Sequence, residues 1–342
     1  MAKRIGRFTV RTEHQPRLIS SAAIVGKKEG EGPLKSYFDQ IYTDTTLQEK
    51  SWEKAESRLQ TTAVKTALQK ANLPPEQMDY ILAGDLLNQC ISSTFGLRDL
   101  NIPFLGQYGA CSTMAQTIAV GAMLVDGGIA SHVVSVTSSH FCSAERQFRF
   151  PLEYGSLRAP TSQWTVTGAG AAVIASGGTG PYVADVTIGR IVDLGITDAN
   201  NMGAAMAPAA ADTLISYFAD TGTAPCDYDL IVTGDLGFTG SQLLVELLDR
   251  ENLDIRPNHA DCGLLIFDRE AQDVDSGGSG CGCAGTVFCG YLMHRLCAGE
   301  LKNILFMATG ALMSPTSSQQ GESIPGIAHL LHICADGVQA KG

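Results

Sequence analysis

In the segment TLQEKSWEKAESRLQTTAVKTALQKANL, residues 46–73, Trp52, Ala55, Leu59, Ala63 and Ala67 recur at helical steps, with Thr62 beside them. That spacing predicts one amphipathic helix, and Pro74 ends it. MDYILAGDLLNQ follows, an apolar strand run that closes on Gly84-Asp85. The second half repeats this order. A small-residue helix, MAPAAADTLISYFADTG, precedes YDLIVTGDL, a strand ending in Gly234-Asp235. The stretch before about Tyr42 reads as irregular, with one short strand at RLISSAAIV.

The repetition has a register. Cys111 and Cys283, Gly127 and Gly299, and Thr137 and Thr309 are each 172 positions apart, while Asp85 and Asp235 are 150 apart. Each unit reads glycine-rich turn, helix, glycine-containing loop, apolar strand. VVSVT and ILFMAT are apolar throughout, which fits strands covered on both faces. The pattern predicts an α/β fold made of two similar halves, residues 1–180 and 181–342, divided in the glycine-rich ASGGTGPYV. The halves are expected to share a core, with a site at their junction.

Composition narrows the class. The chain has 342 residues, 44% hydrophobic and 17% charged, which describes a folded globular protein. A formal net charge of −11 argues against broad nucleic-acid binding. The N-terminus MAKRIGRFTVRTEHQP has no apolar core behind its basic residues, so no signal peptide is predicted, and no apolar run is long enough to span a bilayer. The ten cysteines form no secreted-type framework and are expected to be reduced thiols in a cytosolic compartment.

The candidate chemistry centres on GACSTM, residues 109–114. Cys111 stands where an apolar segment turns into a helix. Capping that helix, it would meet backbone N–H groups and a dipole that favour the thiolate. A small buried residue in a tight turn is the alternative. The run Gly280–Gly285, GCGCAG, matches G-x-G-x-x-G but follows DVDSGGS rather than a strand, so close approach of helix and turn explains it better than a dinucleotide. Cys281 and Cys283 are too close in sequence for usual zinc spacing.

A cysteine in a GACST turn, inside a duplicated α/β chain of this length, resembles the thiolase-like fold. GDLLNQ, IPFLGQYGACSTM, TSSH, ERQFRFPLEYG, TVTGAGAAV, IGRIVDLGITDANNMGAAMAPAAADT and ESIPGIAH together resemble the stage V sporulation AD family, from KKEGEGPL to PGIAH. The resemblance implies layered αβαβα architecture with two central mixed sheets. It implies binding of dipicolinic acid (pyridine-2,6-dicarboxylate) and its uptake into the developing spore, beside membrane proteins of the same operon. It also implies a cytoplasmic forespore or spore location at the periphery of the inner membrane, and a homodimer paired through the strand after the nucleophile helix.

In condensing enzymes of that fold, a His and an Asn or second His complete the site. Here Asp235 follows YDLIVTG, and GGSGCGC, with Ser279 and Cys281, precedes the second buried helix. An ionised Asp cannot donate a hydrogen bond and would raise a nearby thiol. The expectation is therefore binding without turnover, at a site drawing on Cys111, Ser112, His140, Arg146, Asp85, Asn88, Asp235 and Cys281. Backbone N–H groups at Cys111 and Ser112 would meet one carboxylate and His140 or Arg146 the other. Ion pairing of Glu145 with Arg146 or Arg149 is the structural reading of that segment. Asp85 and Asp235 are expected to accept loop N–H groups, with a Ca²⁺ bridge, as calcium dipicolinate, the alternative. No other cofactor is expected. The rival function is an acyltransferase or condensing enzyme with Cys111 as nucleophile.

Overall fold

A computed structural model describes residues 3–148 and 158–340. Ten strands carry the architecture. In the first half they are β1 (Arg17–Val25), β2 (Tyr80–Gly84), β3 (Phe104–Gly106), β4 (His132–Ser139) and β5 (Gly168–Ala175). In the second they are β6 (Tyr182–Ile188), β7 (Leu230–Thr233), β8 (His259–Asp261), β9 (Asn303–Ala311) and β10 (Gly326–Cys334).

The first sheet runs β3-β2-β4-β5-β1 and the second β8-β7-β9-β10-β6, so both halves have one strand order. In each, the fifth strand is antiparallel to its two neighbours and the remaining pairs are parallel. The two sheets touch edge to edge at one antiparallel pair, Tyr182 with Arg17. The 172-residue register survives: β4 and β9 correspond residue for residue from His132 and Ile304 onward.

Five layers result. Helix α1 (Trp52–Ala71) lies outside the first sheet, packing Leu59, Ala63 and Val64 against Ile81, Val134 and Ala171. Its N-cap is Ser51, whose hydroxyl accepts from Lys54 N, and Asn72 closes it in the left-handed conformation. Helix α2 (Ile91–Leu97) sits beside it. Between the sheets run α3 (Thr113–Asp126) and α4 (Cys281–Val287), the latter continuing through a π turn at Phe288–Leu292 into Met293–Cys297. Ile118, Ala119, Val287 and Phe288 there fill one core with Val133, Ala172, Phe306 and Leu331 from both sheets. Helices α5 (Met202–Thr221) and α6 (Gly237–Asp249) cover the outer face of the second sheet through Met206, Leu214 and Leu244.

Two expectations are corrected. The strand expected at RLISSAAIV is β1 itself, Arg17–Val25, central to the junction, but the stretch before it is not irregular, because Thr9–Arg11 forms a further strand that pairs with β6. The strand after the nucleophile helix, β4, cannot pair two copies, because β2 and β5 already occupy its two sides. The free edge of that sheet is β3, the strand before the helix.

Candidate functional site

Cys111 lies in the turn between β3 and α3, two residues ahead of the first helical residue rather than capping the helix. The turn is tight. Ala110 has φ +50°, a left-handed conformation costly for a residue with a Cβ. Gly109 O accepts from both Ser112 N at 3.0 Å and Ser112 Oγ at 2.7 Å, and Thr113 N and Oγ1 both donate to Ala110 O. Of the Cys111 and Ser112 N–H groups expected to meet a ligand carboxylate, that of Ser112 thus already has a partner inside the turn.

The thiol lies close enough to Asp235, just past the C-terminal end of β7, for that carboxyl to raise it. Asp235 is fully buried. Its Oδ2 accepts from Gly280 N at 2.8 Å and its Oδ1 from Thr309 Oγ1 at 3.0 Å. Behind it stands Asp261, on β8, accepting from Thr233 Oγ1 at 2.6 Å, Leu236 N at 2.8 Å and Gly237 N at 3.0 Å. Burial, with the charge of Asp261 added, pushes Asp235 up to about 7. Burial first, and the charge of Asp235 second, push the Cys111 thiol well above its ordinary range.

Asp85, the partner of Asp235 in the repeat, is anchored the same way. It accepts from Leu87 N at 2.9 Å, Ser93 N at 2.8 Å and Ser93 Oγ at 2.6 Å. Both acids are thereby committed to loop donors, and among the described residues no group of three or more His, Cys, Asp or Glu side chains is placed to hold a metal ion.

Cys281 is buried at the start of α4. Its thiol donates to Ser138 O at 2.9 Å, and it packs with Cys111, Leu86 and Ala144. Beside Cys111, Leu86 and Ala144 lies a small cavity of about 40 Å³, lined also by Tyr108, Ala110, Thr165, Met202, Ser279, Ala311 and Met313, with Cys281 behind its wall rather than in it. Among the described residues, none that lines it carries an imidazole, a carboxamide or a charge. A larger cleft of about 760 Å³ opens elsewhere, beside Ser21, Tyr37, Lys70 and His294, with Lys70 paired to Asp39 at 2.5 Å. It does not include Cys111.

The remaining candidates fall outside the small cavity. His140 is buried, its Nε2 donating to Thr45 O at 2.7 Å and its Nδ1 accepting from Cys142 N at 3.2 Å. Burial lowers its pKa, so it is a neutral loop anchor rather than a cation for a ligand. Arg146 is half exposed, paired with Glu53 and placed over the Trp52 ring. Glu145 pairs with Arg158 at 3.4 Å, not with Arg146, and Arg149 lies outside the described residues. Asn88 is exposed in the loop before α2.

Sequence reasoning missed the polar layer behind Asp85. Glu56 and Gln60 are fully buried on α1. Glu56 accepts from Ser138 Oγ at 2.9 Å and Ser143 Oγ at 2.7 Å. Gln60 donates to Gly84 O, Ser93 Oγ and Ser138 Oγ. Desolvation, then the charge of Asp85, raises Glu56. The signal was in the helix pattern: positions 56 and 60 fall on the apolar stripe of Trp52, Ala55, Leu59 and Ala63, where charged or amide side chains do not belong unless paired.

Comparison with known proteins places this geometry. The family model described as Stage V sporulation protein AD (SpoVAD) matches residues 6–334. Stage V sporulation protein AD of Bacillus subtilis (strain 168) is 46% identical over 327 residues, 96% of each chain. Among solved structures, cerulenin-bound OleA from Xanthomonas campestris superposes with a TM-score of 0.61 at 14% identity, over 95% of this chain and 97% of that one. The 3-oxoacyl-[acyl-carrier-protein] synthase III of Aquifex aeolicus VF5 gives 0.57 at 14% identity, over 92% and 99%. The fold is thiolase-like, and the chain belongs to the stage V sporulation protein AD family.

Proposed function

We propose that this chain is a non-catalytic binding protein for dipicolinic acid that supports its uptake into the developing spore. One observation carries the non-catalytic part: the group facing the Cys111 thiol is the Asp235 carboxyl. A nucleophilic thiol needs a base or a cation beside it and donors aimed at the oxygen where negative charge develops. A buried carboxyl whose oxygens already accept from Gly280 and Thr309 holds the thiol protonated instead. The ligand assignment rests on the family resemblance. The Cys111 cavity is its proposed seat, and the Tyr108 and Ser279 hydroxyls and the Cys111 thiol are the donors a carboxylate would meet there. At about 40 Å³ the cavity is far below the roughly 300 Å³ of ordinary ligand sites, so entry requires Met202 and Met313 to swing aside. Unbranched thioether side chains do this at low cost.

Calorimetric titration with dipicolinate, with and without a chelator, tests the reading. Saturable heat is expected in wild type, lost in Cys111→Trp, which fills the cavity, and unaltered by the chelator. No heat in wild type removes the ligand; heat unchanged in Cys111→Trp moves the site. The rival acyltransferase reading draws support from the strained turn at Ala110 that presents Cys111 at the head of α3. It requires a covalent acyl adduct on Cys111 after incubation with a thioester, which intact-mass measurement detects.

We further infer a homodimer formed through β3. Phe104 and Leu105 on this free edge are exposed, and Phe95 and Tyr108 flank them. A twofold antiparallel pairing of two β3 strands would satisfy their open backbone groups and cover this apolar rim. Sedimentation is expected to show a dimer in wild type and a monomer in Leu105→Lys; a wild-type monomer at high micromolar concentration rules the pairing out. No helix among the described residues is long and apolar enough to cross a membrane. Action at the inner-membrane periphery, beside membrane proteins of the same operon, is part of the proposal.

A further inference from the structure

The strand β9 ends at Cys111's partner acid through Thr309. At its other end, about 20 Å away by strand rise, stands a second constellation of ionisable groups. Asp185, His332 and Cys334 are all fully buried. Asp185 accepts from Arg11 Nε at 2.8 Å, and its Oδ2 lies 2.9 Å from His332 Nδ1. His332 Nε2 faces Asn303 Oδ1 and lies 3.4 Å from Cys334 Sγ. Asn303 Nδ2 donates to Asp227 O at 2.8 Å, which fixes its oxygen toward His332. His332 and Cys334 are two apart on β10 and so share one face of the sheet. The Nε2–H that faces Asn303 Oδ1 also lies 3.4 Å from Cys334 Sγ, so Asp185 and Asn303 fix the ring as a donor beside the sulfur, and a donor there stabilises a thiolate.

What distinguishes this set is its cover. Cys334 packs with Tyr182 and Ala184, and Val338 and Ala340 of the C-terminal segment close over them. One side chain holds the segment down: Tyr182 Oη donates to Val338 O at 2.8 Å and accepts from Ala340 N at 3.2 Å. Beside it a cavity of about 250 Å³ is lined by Arg11, Thr12, Tyr182, Gln339 and Ala340, which leaves room for a small reagent at the edge of the cover.

We propose that Cys334 is a latent nucleophile masked by the segment Val338–Ala340, and that it exchanges with a low-molecular-weight disulfide when that segment lifts. In the exchange water admitted by the lifted segment takes the Cys334 proton and delivers it to the departing sulfur. The sulfur forms a bond to one sulfur of the reagent, the reagent's S–S bond breaks, and the second sulfur departs with the proton as a free thiol. The products are one mixed disulfide and one thiol, and the reagent itself is the oxidant.

The mask works through desolvation. Burial pushes the Cys334 thiol up to about 11, against the pull of Arg11. Around it stand Arg11, Asp185, Tyr182, Tyr217, Tyr228 and His332. Lifting the segment lets water in and removes the largest cause that holds the thiol up; the charge of Asp185 still opposes the thiolate, while Arg11 and the His332 Nε2–H beside the sulfur favour it.

The experiment treats three chains with 2-hydroxyethyl disulfide: wild type, full-length Tyr182→Phe, and a chain ending at Gly337. Peptide mass spectrometry then follows mixed-disulfide formation at Cys334 against Cys226 and Cys297, which are exposed. In wild type Cys334 is expected to react at least about 10-fold more slowly than Cys226. It is expected to match or exceed Cys226 in the shortened chain and to fall between the two in Tyr182→Phe. Adding His332→Gln to either altered chain is expected to slow Cys334 by about 10-fold or more near pH 7 and leave Cys226 unchanged. Tyr182→Phe retains every residue of the segment and so reports even where the shortened chain does not fold. Cys334 reacting no faster in Tyr182→Phe than in wild type, or a rate indifferent to His332→Gln, makes the cluster a structural polar network and overturns the proposal.

Discussion

Gly310→Ala is expected to cost about 2–4 kcal/mol of stability and to disorder the Cys111 turn. A Cβ at this position would stand 2.3 Å from Gly109 O, 3.2 Å from Ser112 N and 3.3 Å from Ile327 Cγ2. Gly109 O is the acceptor on which Ser112 closes the turn, so the collision strikes the hydrogen bonds that hold Cys111 in place. Two backbone segments cannot part here without moving β9 away from the head of α3. Urea denaturation measures the cost, and the rate of Cys111 alkylation measures the disorder, since a loosened turn exposes a thiol that is otherwise buried. Gly128→Ala is the control. Gly128 has φ +69° and nothing within 4 Å of its missing Cβ, so only conformational strain of about 1 kcal/mol is expected. Equal costs for the two substitutions would show that β9 and the turn are not in contact.

The second large effect is a loss of stability on the alkaline side of neutrality. Burial pushes Glu29 and Asp235 up to about 7 and raises Glu56 as well. In the unfolded chain these groups titrate near 4. A carboxyl raised in the folded state keeps its proton longer there, so stability is full below the unfolded value and is lost as pH climbs through the folded one. His259 and His329, lowered to about 4 by burial, act oppositely, but their contribution is complete above about 6.5. From pH 6.5 to 8.5 the carboxyls ionise in the folded chain, and toward the upper end the buried thiols, raised in the folded state, begin to ionise in the unfolded one; both lower stability, which is expected to fall by about 2 kcal/mol or more. Glu56→Gln, which leaves an amide oxygen for the Ser138 and Ser143 hydroxyls, is expected to flatten the slope and to be more stable than wild type at pH 8.5. A wild-type profile that is level or rising across this window would mean that the buried acids are already ionised at neutrality.

These two effects arise from features with very different visibility in the sequence. Gly310 carries no local signature, because what forbids its Cβ is a carbonyl 201 positions away in the chain. Glu56 was visible, as a charge on the apolar stripe of a well-marked helix, and could have been flagged as a buried acid in need of partners. The helix at Trp52–Ala71 and the strands β2, β4, β7 and β9 followed from periodicity and apolar runs, since each buries a whole face. His140 and Arg146 were chosen for their place after a strand end. The fold turned one inward against Thr45 and paired the other with Glu53 on α1, choices made by neighbours remote in sequence.

By itself the chain determined the duplicated α/β plan, the register of its two halves, the turn at Cys111 and the acids at the strand ends. All of these are written in local spacing and repeat at a fixed offset. Only the tertiary structure decided what Cys111 faces, how little space surrounds it, and that a third acid, Asp261, stands behind the second. The reason is physical: a pKa, a cavity and a hydrogen-bond partner depend on which segments are pressed together. Here the Cys111 turn, the end of β7 and the head of α4 meet at a point that no span of the sequence contains.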